Sequence, residues 1–328
     1  MGIFTKSSVG MEIDSKEIRV AYVEGTADKP IPRLFARQTL PEGVVRDGKV
    51  ASPGELATAI SALWTRENIK SRDVILGVNN QDVIIRFAAV PDLPKDKLYN
   101  LIHFQSTDYI PIPIHEIELD YSVVGKTSNN AGDLLKLLLV AGRKNMLNDF
   151  IAALEAARMK ITDIGVSMLA AVRLVPEQMR NEPIVVVNLS NDFGNIVIMN
   201  QNEPGMARTI AYPSHIQPFL SRLTGQDRYD SYTARAESLE KVCNFLANEI
   251  RSSVLYYRNQ EPELFFQRYY ITGSHARDEG VLPGIQQLLQ TDVSLLDLSS
   301  LKQASTLAGE SSSDYTVCYS LAISGLEG

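Results

Sequence analysis

Two stretches half a chain apart, residues 9–24 and 184–200, share one pattern: an apolar strand, a short polar turn and a second apolar strand. In the first, Val9, Met11 and Ile13 alternate with Gly10, Glu12 and Asp14, and Ile18, Val20 and Tyr22 resume the alternation after the turn. A period of two marks a strand, because successive side chains point to opposite faces. A chain that builds one hairpin twice is expected to fold as two lobes. Its 328 residues agree, being long for a single core.

Composition narrows the function. Hydrophobic residues at 45% and charged residues at 22% are those of a globular protein with a sizeable core. A net charge of −7 argues against nucleic acid, whose phosphates need a basic face, and gives no reason for adsorption to anionic lipid. The two cysteines, Cys243 and Cys318, have neither metal nor disulfide spacing and read as small buried residues in a reducing compartment. No apolar run reaches bilayer-spanning length, and residues 1–6 do not resemble the start of a signal peptide. The expected location is cytoplasmic, without direct membrane insertion, beneath a membrane only through a membrane-bound partner.

Between the hairpins the pattern predicts further elements. Asp47-Gly48, flanked by Val44-Val45 and Val50, reads as a hairpin turn. Ser52-Pro53-Gly54-Glu55 announces a helix, with Ser52 and Glu55 as a capping box and Leu56, Ile60, Leu63 and Trp64 as its apolar stripe. Strands are expected at 74–78 and 83–90 and a helix at 95–108. The run Tyr109-Ile110-Pro111-Ile112-Pro113-Ile114 is stiff and extended, because each proline restrains itself and its predecessor. Strands at 117–124 and 134–141, joined by a turn at 129–132, and a helix at 145–158 close a block that suits a small inserted α/β subdomain. A strand near 161–165 and a helix at 167–174 return to the first lobe. After the second hairpin come a strand at 205–212, one long helix within 231–259, a strand at 268–271 ending in Thr272-Gly273-Ser274, and alternating helix and strand to 324. Residues 309–314 form a polar patch, and 227–235 read as a solvated helix entry.

With these elements in order, the chain resembles the PilM family, actin-like cytoplasmic proteins of type IV pilus assembly related to the cell-division protein FtsA. The resemblance rests on Pro41-Glu42-Gly43-Val44-Val45-Arg46-Asp47-Gly48 before the first helix, and on Val90-Pro91-Asp92-Leu93, Tyr109-Ile110-Pro111 and Leu119-Asp120-Tyr121 in the insertion. Ala236-Glu237 at the long helix and Leu321-Ala322-Ile323 at the last one extend it. It implies an α/β, actin-like (ribonuclease H-like, duplicated) two-lobed fold with an FtsA-type insertion. The first lobe, subdomain 1A, would be 1–90 and 161–183, the insertion, 1C, 91–160, and the second lobe, 2A and 2B, 184–328. It also implies a groove for the cytoplasmic tail of a bitopic, PilN-like inner-membrane protein, and contacts with other cytoplasmic pilus assembly components.

In that family the paired turns grip a nucleotide's phosphates, and here they depart from the pattern. Glu12-Ile13-Asp14-Ser15-Lys16 stands where Asp-Ile-Gly-Ser-Ser is expected. Glycine there lets backbone N–H groups approach phosphate, and the preceding acid holds the metal's water shell. Glu12 keeps that charge on a longer arm, Asp14 brings a carboxylate near the phosphates, and Lys16 is expected to offset part of it. Asn188-Leu189-Ser190-Asn191-Asp192 replaces the second Asp-Ile-Gly, so Asn188 offers no charge to Mg²⁺ and Ser190 removes a second glycine. The turn Gly273-Ser274-His275-Ala276 keeps one of two expected glycines, with an apparent insertion at 278–281. The degenerate nucleotide site is thus assigned to Glu12, Asp14, Ser15, Lys16, Asn188, Ser190, Asn191, Glu237, Gly273 and Ser274. No catalytic or metal-ligating residue and no required cofactor is expected, with ATP or ADP and Mg²⁺ binding weakly.

The four histidines, His103, His115, His215 and His275, lack ligand spacing, and the Ser274-His275 neighbours lack a nucleophile-elbow turn. The expected function is a cytoplasmic adaptor of type IV pilus, or related type II secretion, assembly. The competing readings are an active actin-fold ATPase or small-molecule kinase, and a filament-forming protein. The segment 109–121 reads as a structural connector or as one wall of the partner groove.

Overall fold

The computed structural model describes residues 6–129, 132–223, 232–309 and 312–327. Parts of three predicted features, at 130–131, 227–231 and 310–311, lie outside the described residues. The chain opens with β1 (Lys6–Ile13), β2 (Glu17–Thr26), β3 (Lys29–Thr39), β4 (Val45–Arg46), β5 (Lys49–Val50), α1 (Pro53–Glu67), β6 (Asp73–Val78) and β7 (Val83–Pro91). Next come α2 (Lys95–Phe104), α3 (Ser106–Tyr109), β8 (Ile117–Asn129), β9 (Gly132–Arg143), α4 (Lys144–Ala156), β10 (Lys160–Val166), α5 (Ser167–Val172) and α6 (Glu177–Arg180). The remainder is β11 (Ile184–Leu189), β12 (Phe193–Asn200), β13 (Glu203–Ala211), α7 (Gln217–Leu223), α8 (Tyr232–Arg258), β14 (Arg268–Thr272), α9 (Val281–Leu289), β15 (Asp292–Leu295), α10 (Lys302–Ala308) and α11 (Thr316–Ser324).

The two hairpins nucleate two sheets of identical topology. In the first, β1, β2 and β3 form an antiparallel meander, β6 joins β1 in parallel and β10 joins β6. In the second, β11, β12 and β13 form the meander, β14 joins β11 in parallel and β15 joins β14. Both hairpin tips close alike, Asp14 N–H donating to the Glu17 carbonyl and Ser190 N–H to the Phe193 carbonyl, each at 3.1 Å.

Local chemistry sets the first lobe. Asp47 (φ 49°) and Gly48 (φ 65°) are both left-handed, as the tight turn between β4 and β5 requires. The α1 stripe, Leu56, Ile60, Leu63 and Trp64, is buried against Val9, Met11 and Val20 of the sheet and Phe150 and Leu154 of α4. The capping box does not form: the Ser52 hydroxyl donates to the Glu55 carboxylate at 3.1 Å and caps no backbone N–H.

Three boundaries differ from the sequence reading. The helix expected over 95–108 breaks at Gln105 into α2 and α3. The insertion's sheet, in the order β7-β9-β8, takes in β7, whereas α4 packs on α1 in the first lobe. The insertion therefore runs from Val83 to Arg143 rather than over 91–160, because nine residues of β7 pair with β9. The third difference concerns the C-terminal segment expected in the second lobe: α11 returns to the first lobe and lies on β1 and β2.

That return has a steric cause. Every residue from Thr316 to Ile323 is buried, so α11 is a core helix with no solvent face. Gly10 of β1 lets it settle, since a Cβ there would stand 1.9 Å from the Cys318 carbonyl oxygen. Val317 and Leu321 of α11, with Met168, Ala171 and Val172 of α5, then reach Val186 and Val197 of the second sheet and Ile75 of the first. This apolar cluster is the hinge side of the lobe interface.

Gly10→Ala should lower stability by about 2–3 kcal/mol, because overpacking here meets backbone. Gly54→Ala, with open space around its Cβ, should be neutral or stabilising by up to about 1 kcal/mol. Urea unfolding of the two variants reads the contrast, and equal midpoints would contradict the close packing of α11.

Candidate functional site

The two hairpin tips meet and bond to each other. Asp192, in the turn between β11 and β12, places one carboxylate oxygen 2.9 Å from the Ser15 backbone N–H and 3.1 Å from that of Gly48. The Ser15 hydroxyl donates to its other oxygen. In the reverse direction the Asn191 side-chain amide donates to Asp14 at 2.9 Å. Beside this pair, Asn195 donates to Asn79 at 2.8 Å and Asn79 to the Ser190 hydroxyl at 3.2 Å, so a ladder of amides also crosses between the lobes.

Arg19 supports the first tip from below. It is 2% exposed, on the face of β2 turned toward α11. Its guanidinium lies 2.9 Å from Asp14, 2.9 Å from Glu17 and 3.7 Å from Glu12. Burial works against its charge, but Asp14, Glu12 and Glu17 outweigh burial and raise its pKa well above the ordinary arginine value. Burial lifts the Glu12 pKa above the ordinary glutamate value, and Arg19 offsets only part of that rise. Asp192 is also held above the usual aspartate range, first by burial and then by the charge of Asp14, against the hydrogen bonds from Ser15 and Gly48.

Above the joined tips lies an open cavity of about 1010 Å³, walled by Arg37 and Thr39 of β3, the 42–47 loop, Gln217 and Leu220 of α7, and Ser274, His275 and Asp278. Arg37 is tied to the C-terminal segment, donating to Asp314 at 2.8 Å and to the Tyr315 hydroxyl at 3.2 Å. His275 Nδ1 and the Asp278 carboxylate lie 2.7 Å apart.

The residues expected at the site divide into three groups. Ser15, Lys16, Asn191 and Ser274 line the cavity. Glu12, Asp14, Asn188, Ser190 and Gly273 are not among its lining residues, and the first four are buried. Glu12 is spent on Arg19. Asp14 turns back on its own hairpin. It accepts the backbone N–H groups of Lys16 at 2.8 Å and Glu17 at 3.0 Å, and its charge is met by Arg19, not by the Lys16 ammonium expected to offset it. The Ser190 hydroxyl turns inward to the Phe193 carbonyl at 2.8 Å, and Asn188 donates to Asn195 at 3.2 Å. Gly273 (φ 95°) is left-handed, and a Cβ would stand 2.5 Å from Asn188 Oδ1, while its N–H goes to the Ser313 carbonyl at 3.2 Å. Glu237 stands apart, exposed on α8, with Lys241 at 2.5 Å.

Sequence reasoning passed over Asp192, Gly48, Arg19 and Arg37. Arg19 carried a signal, an arginine between Ile18 and Val20 in an apolar strand. Asp192 carried none, since aspartate is ordinary in a turn. The arrangement supplies directional polar bonding between the lobes. Among the described residues no cluster of metal-ligating side chains is found and no helix is long and apolar enough to cross a membrane.

Arg19→Met removes the cation shared by Glu12, Asp14 and Glu17 and should cost about 3–5 kcal/mol at neutral pH, the cost of breaking a buried pair from one side. Burial raises the Glu12 pKa and Arg19 lowers it, so losing Arg19 raises it further, and as pH falls the variant gains more native-state stability from protonating Glu12 than wild type does. The deficit against wild type should therefore narrow between pH 7 and about pH 5. Urea midpoints at the two values measure it, and a deficit independent of pH would contradict the ion cluster.

Residues 10–214 match the family described as type IV pilus assembly protein PilM. The solved PilM–PilN type IV pilus biogenesis complex contains a chain 20% identical to this one, aligned over 98% of this chain and 99% of that chain with a TM-score of 0.81. The ethanolamine utilization protein EutJ from Carboxydothermus hydrogenoformans is 10% identical, aligned over 97% and 89%, with a TM-score of 0.56. The structural likeness carries the fold, the actin-like two-lobed α/β architecture that the family resemblance implied. The match to the family covers more than half of the sequence, and the chain belongs to the PilM family of type IV pilus assembly proteins.

Proposed function

We propose that this protein is an adaptor of type IV pilus assembly that holds the cytoplasmic tail of a PilN-like inner-membrane protein and needs no bound nucleotide to do so. The observation that carries the reading is the direct bonding of the two hairpin tips. The N–H groups of Ser15 and Gly48 point at the Asp192 carboxylate, which leaves them no vacancy for a phosphate oxygen. Glu12, the acid that a Mg²⁺ water shell would use, is buried on Arg19. These residues fit a magnesium nucleotide poorly, so no hydrolytic step is assigned and any ATP or ADP binding would be weak. Family membership and the likeness to the PilM–PilN complex supply the partner.

The insertion is the surface this reading assigns to the tail. Of the nine large hydrophobic side chains exposed among the described residues, Tyr99, Phe104, Ile114 and Val123 lie on it, with Phe104 88% exposed. Exposed apolar side chains gathered on one small subdomain suit an apolar peptide. The 109–121 segment serves mainly as a connector, since Ile110, Ile112 and Ile117 are buried against Ala141 of its own sheet. Held this way, the protein would work at the inner face of the inner membrane and pass the contact on to other cytoplasmic components.

A synthetic peptide of the partner's tail should bind the wild-type protein in nucleotide-free buffer containing a chelator, and Mg-ATP should change its affinity by less than about twofold. Phe104→Asp should weaken binding by about tenfold or more, while Leu255→Asp, on α8, should leave it unchanged. Calorimetry reads all three. Binding that appears only with Mg-ATP, or sustained phosphate release from ATP, would overturn the reading.

A further inference from the structure

The chain has filled its own anion site. Ser15 N–H, the Ser15 hydroxyl and Gly48 N–H converge on one carboxylate, and that carboxylate comes from the opposite lobe. Backbone N–H groups in a turn are the means by which proteins hold small oxyanions. Two features show how a carboxylate is held there although burial and the charge of Asp14 work against it. The Asp14 carboxylate is itself bound, by Arg19 at 2.9 Å, by Asn191 at 2.9 Å and by two backbone N–H groups. Asp192 is 9% exposed, and the donors that compensate its lost hydration all come from the first lobe. The Gly48 donor is itself fixed, because its carbonyl accepts from Asn80 at 2.8 Å and a Cβ at Gly48 would stand 2.4 Å from the Asn79 carbonyl oxygen.

We propose that Ser15 and Gly48 form an oxyanion site occupied by the protein's own Asp192, an internal ligand that holds the two lobes together, so that a phosphate or pyrophosphate enters only by displacing it. The proposal deepens the nucleotide-independent reading, because it names what takes the nucleotide's place. It makes Asp192 an autoinhibitory contact for anions and the joint between lobes a constitutive one. Emptying the site by truncating Asp192 returns three donors to the solvent-filled cavity above, which is lined by Lys16 and Arg46 as well.

The test titrates wild type, Asp192→Ala and Asp192→Ser with pyrophosphate and with inorganic phosphate by calorimetry, alongside hydrogen exchange at the Ser15 and Gly48 amides. The serine variant keeps the position polar without its charge and serves if the alanine variant fails to fold. Wild type should show protected amides and no saturable binding at millimolar anion. The variants should exchange both amides at least about tenfold faster, bind pyrophosphate about tenfold or more tightly than wild type, and regain protection when the anion is added. Protection unchanged by truncation, or equal pyrophosphate affinity in wild type and variant, would overturn the proposal. Neither outcome touches tail binding by the wild-type protein, so the adaptor reading stands or falls by its own measurement.

Discussion

One buried cation allows four carboxylates to gather where the lobes join. Arg19 pairs with Asp14, Glu17 and Glu12 and steadies the tight first hairpin turn in which Asp14 bonds to its own backbone. The tightened turn leaves the Ser15 N–H and hydroxyl facing the second lobe, where Asp192 takes them. Without the guanidinium, Asp14 and Asp192 would be two buried like charges with nothing between them, an arrangement a low-dielectric joint does not tolerate. The cleft floor is therefore a consequence of a residue that never reaches the cleft.

The lobes are joined twice, and the two joints do different work. On the hinge side, side chains of α5 and α11 bury apolar surface against both sheets, and each such side chain contributes about 1.5–3 kcal/mol when fully buried. On the cleft side the bonds to the Asp192 and Asp14 carboxylates contribute about 1.5–3 kcal/mol each and the amide bond from Asn79 about 1 kcal/mol, net of the water they replace. Apolar contact adheres but tolerates sliding, since it has no direction. The polar bonds adhere and also fix the angle, because each has a narrow geometry.

Much of this architecture is written locally. Period-two alternation announces both hairpins, Asp47-Gly48 announces its turn, and the spacing of Leu56, Ile60, Leu63 and Trp64 announces the buried face of α1, because backbone sterics and amphipathicity act over a few residues. What the sequence hides is assembly. The pattern over 83–90 says strand but not which sheet, and pairing with β9 decides that. The last helix is apolar all round, which says it is buried but not in which lobe, and Gly10, three hundred residues upstream, decides that. The site residues divide in the same way. Asp14 and Ser190 stand where the resemblance implies glycines, yet where their side chains turn depends on Arg19 and Phe193, partners that no local pattern couples to them.

An actin-like machine responds to nucleotide when phosphates bridge two hairpins in one lobe arrangement and not in another, for a ligand shifts an equilibrium only by its differential affinity. A bridging carboxylate carried by the chain changes those terms. Being tethered, it competes at an effective concentration of the order of millimolar or above, and it is never diluted or hydrolysed. On the proposal made above, the bridged state gives way only to an anion that outcompetes that effective concentration, and lobe angle reports on a ligand only beyond it. Under that constraint the parts left to vary with a partner lie outside the joint. The insertion is the largest of them: it has its own three-stranded sheet and its own core of Leu98, Ile102 and Leu137, and it meets solvent with Tyr99, Phe104, Ile114 and Val123.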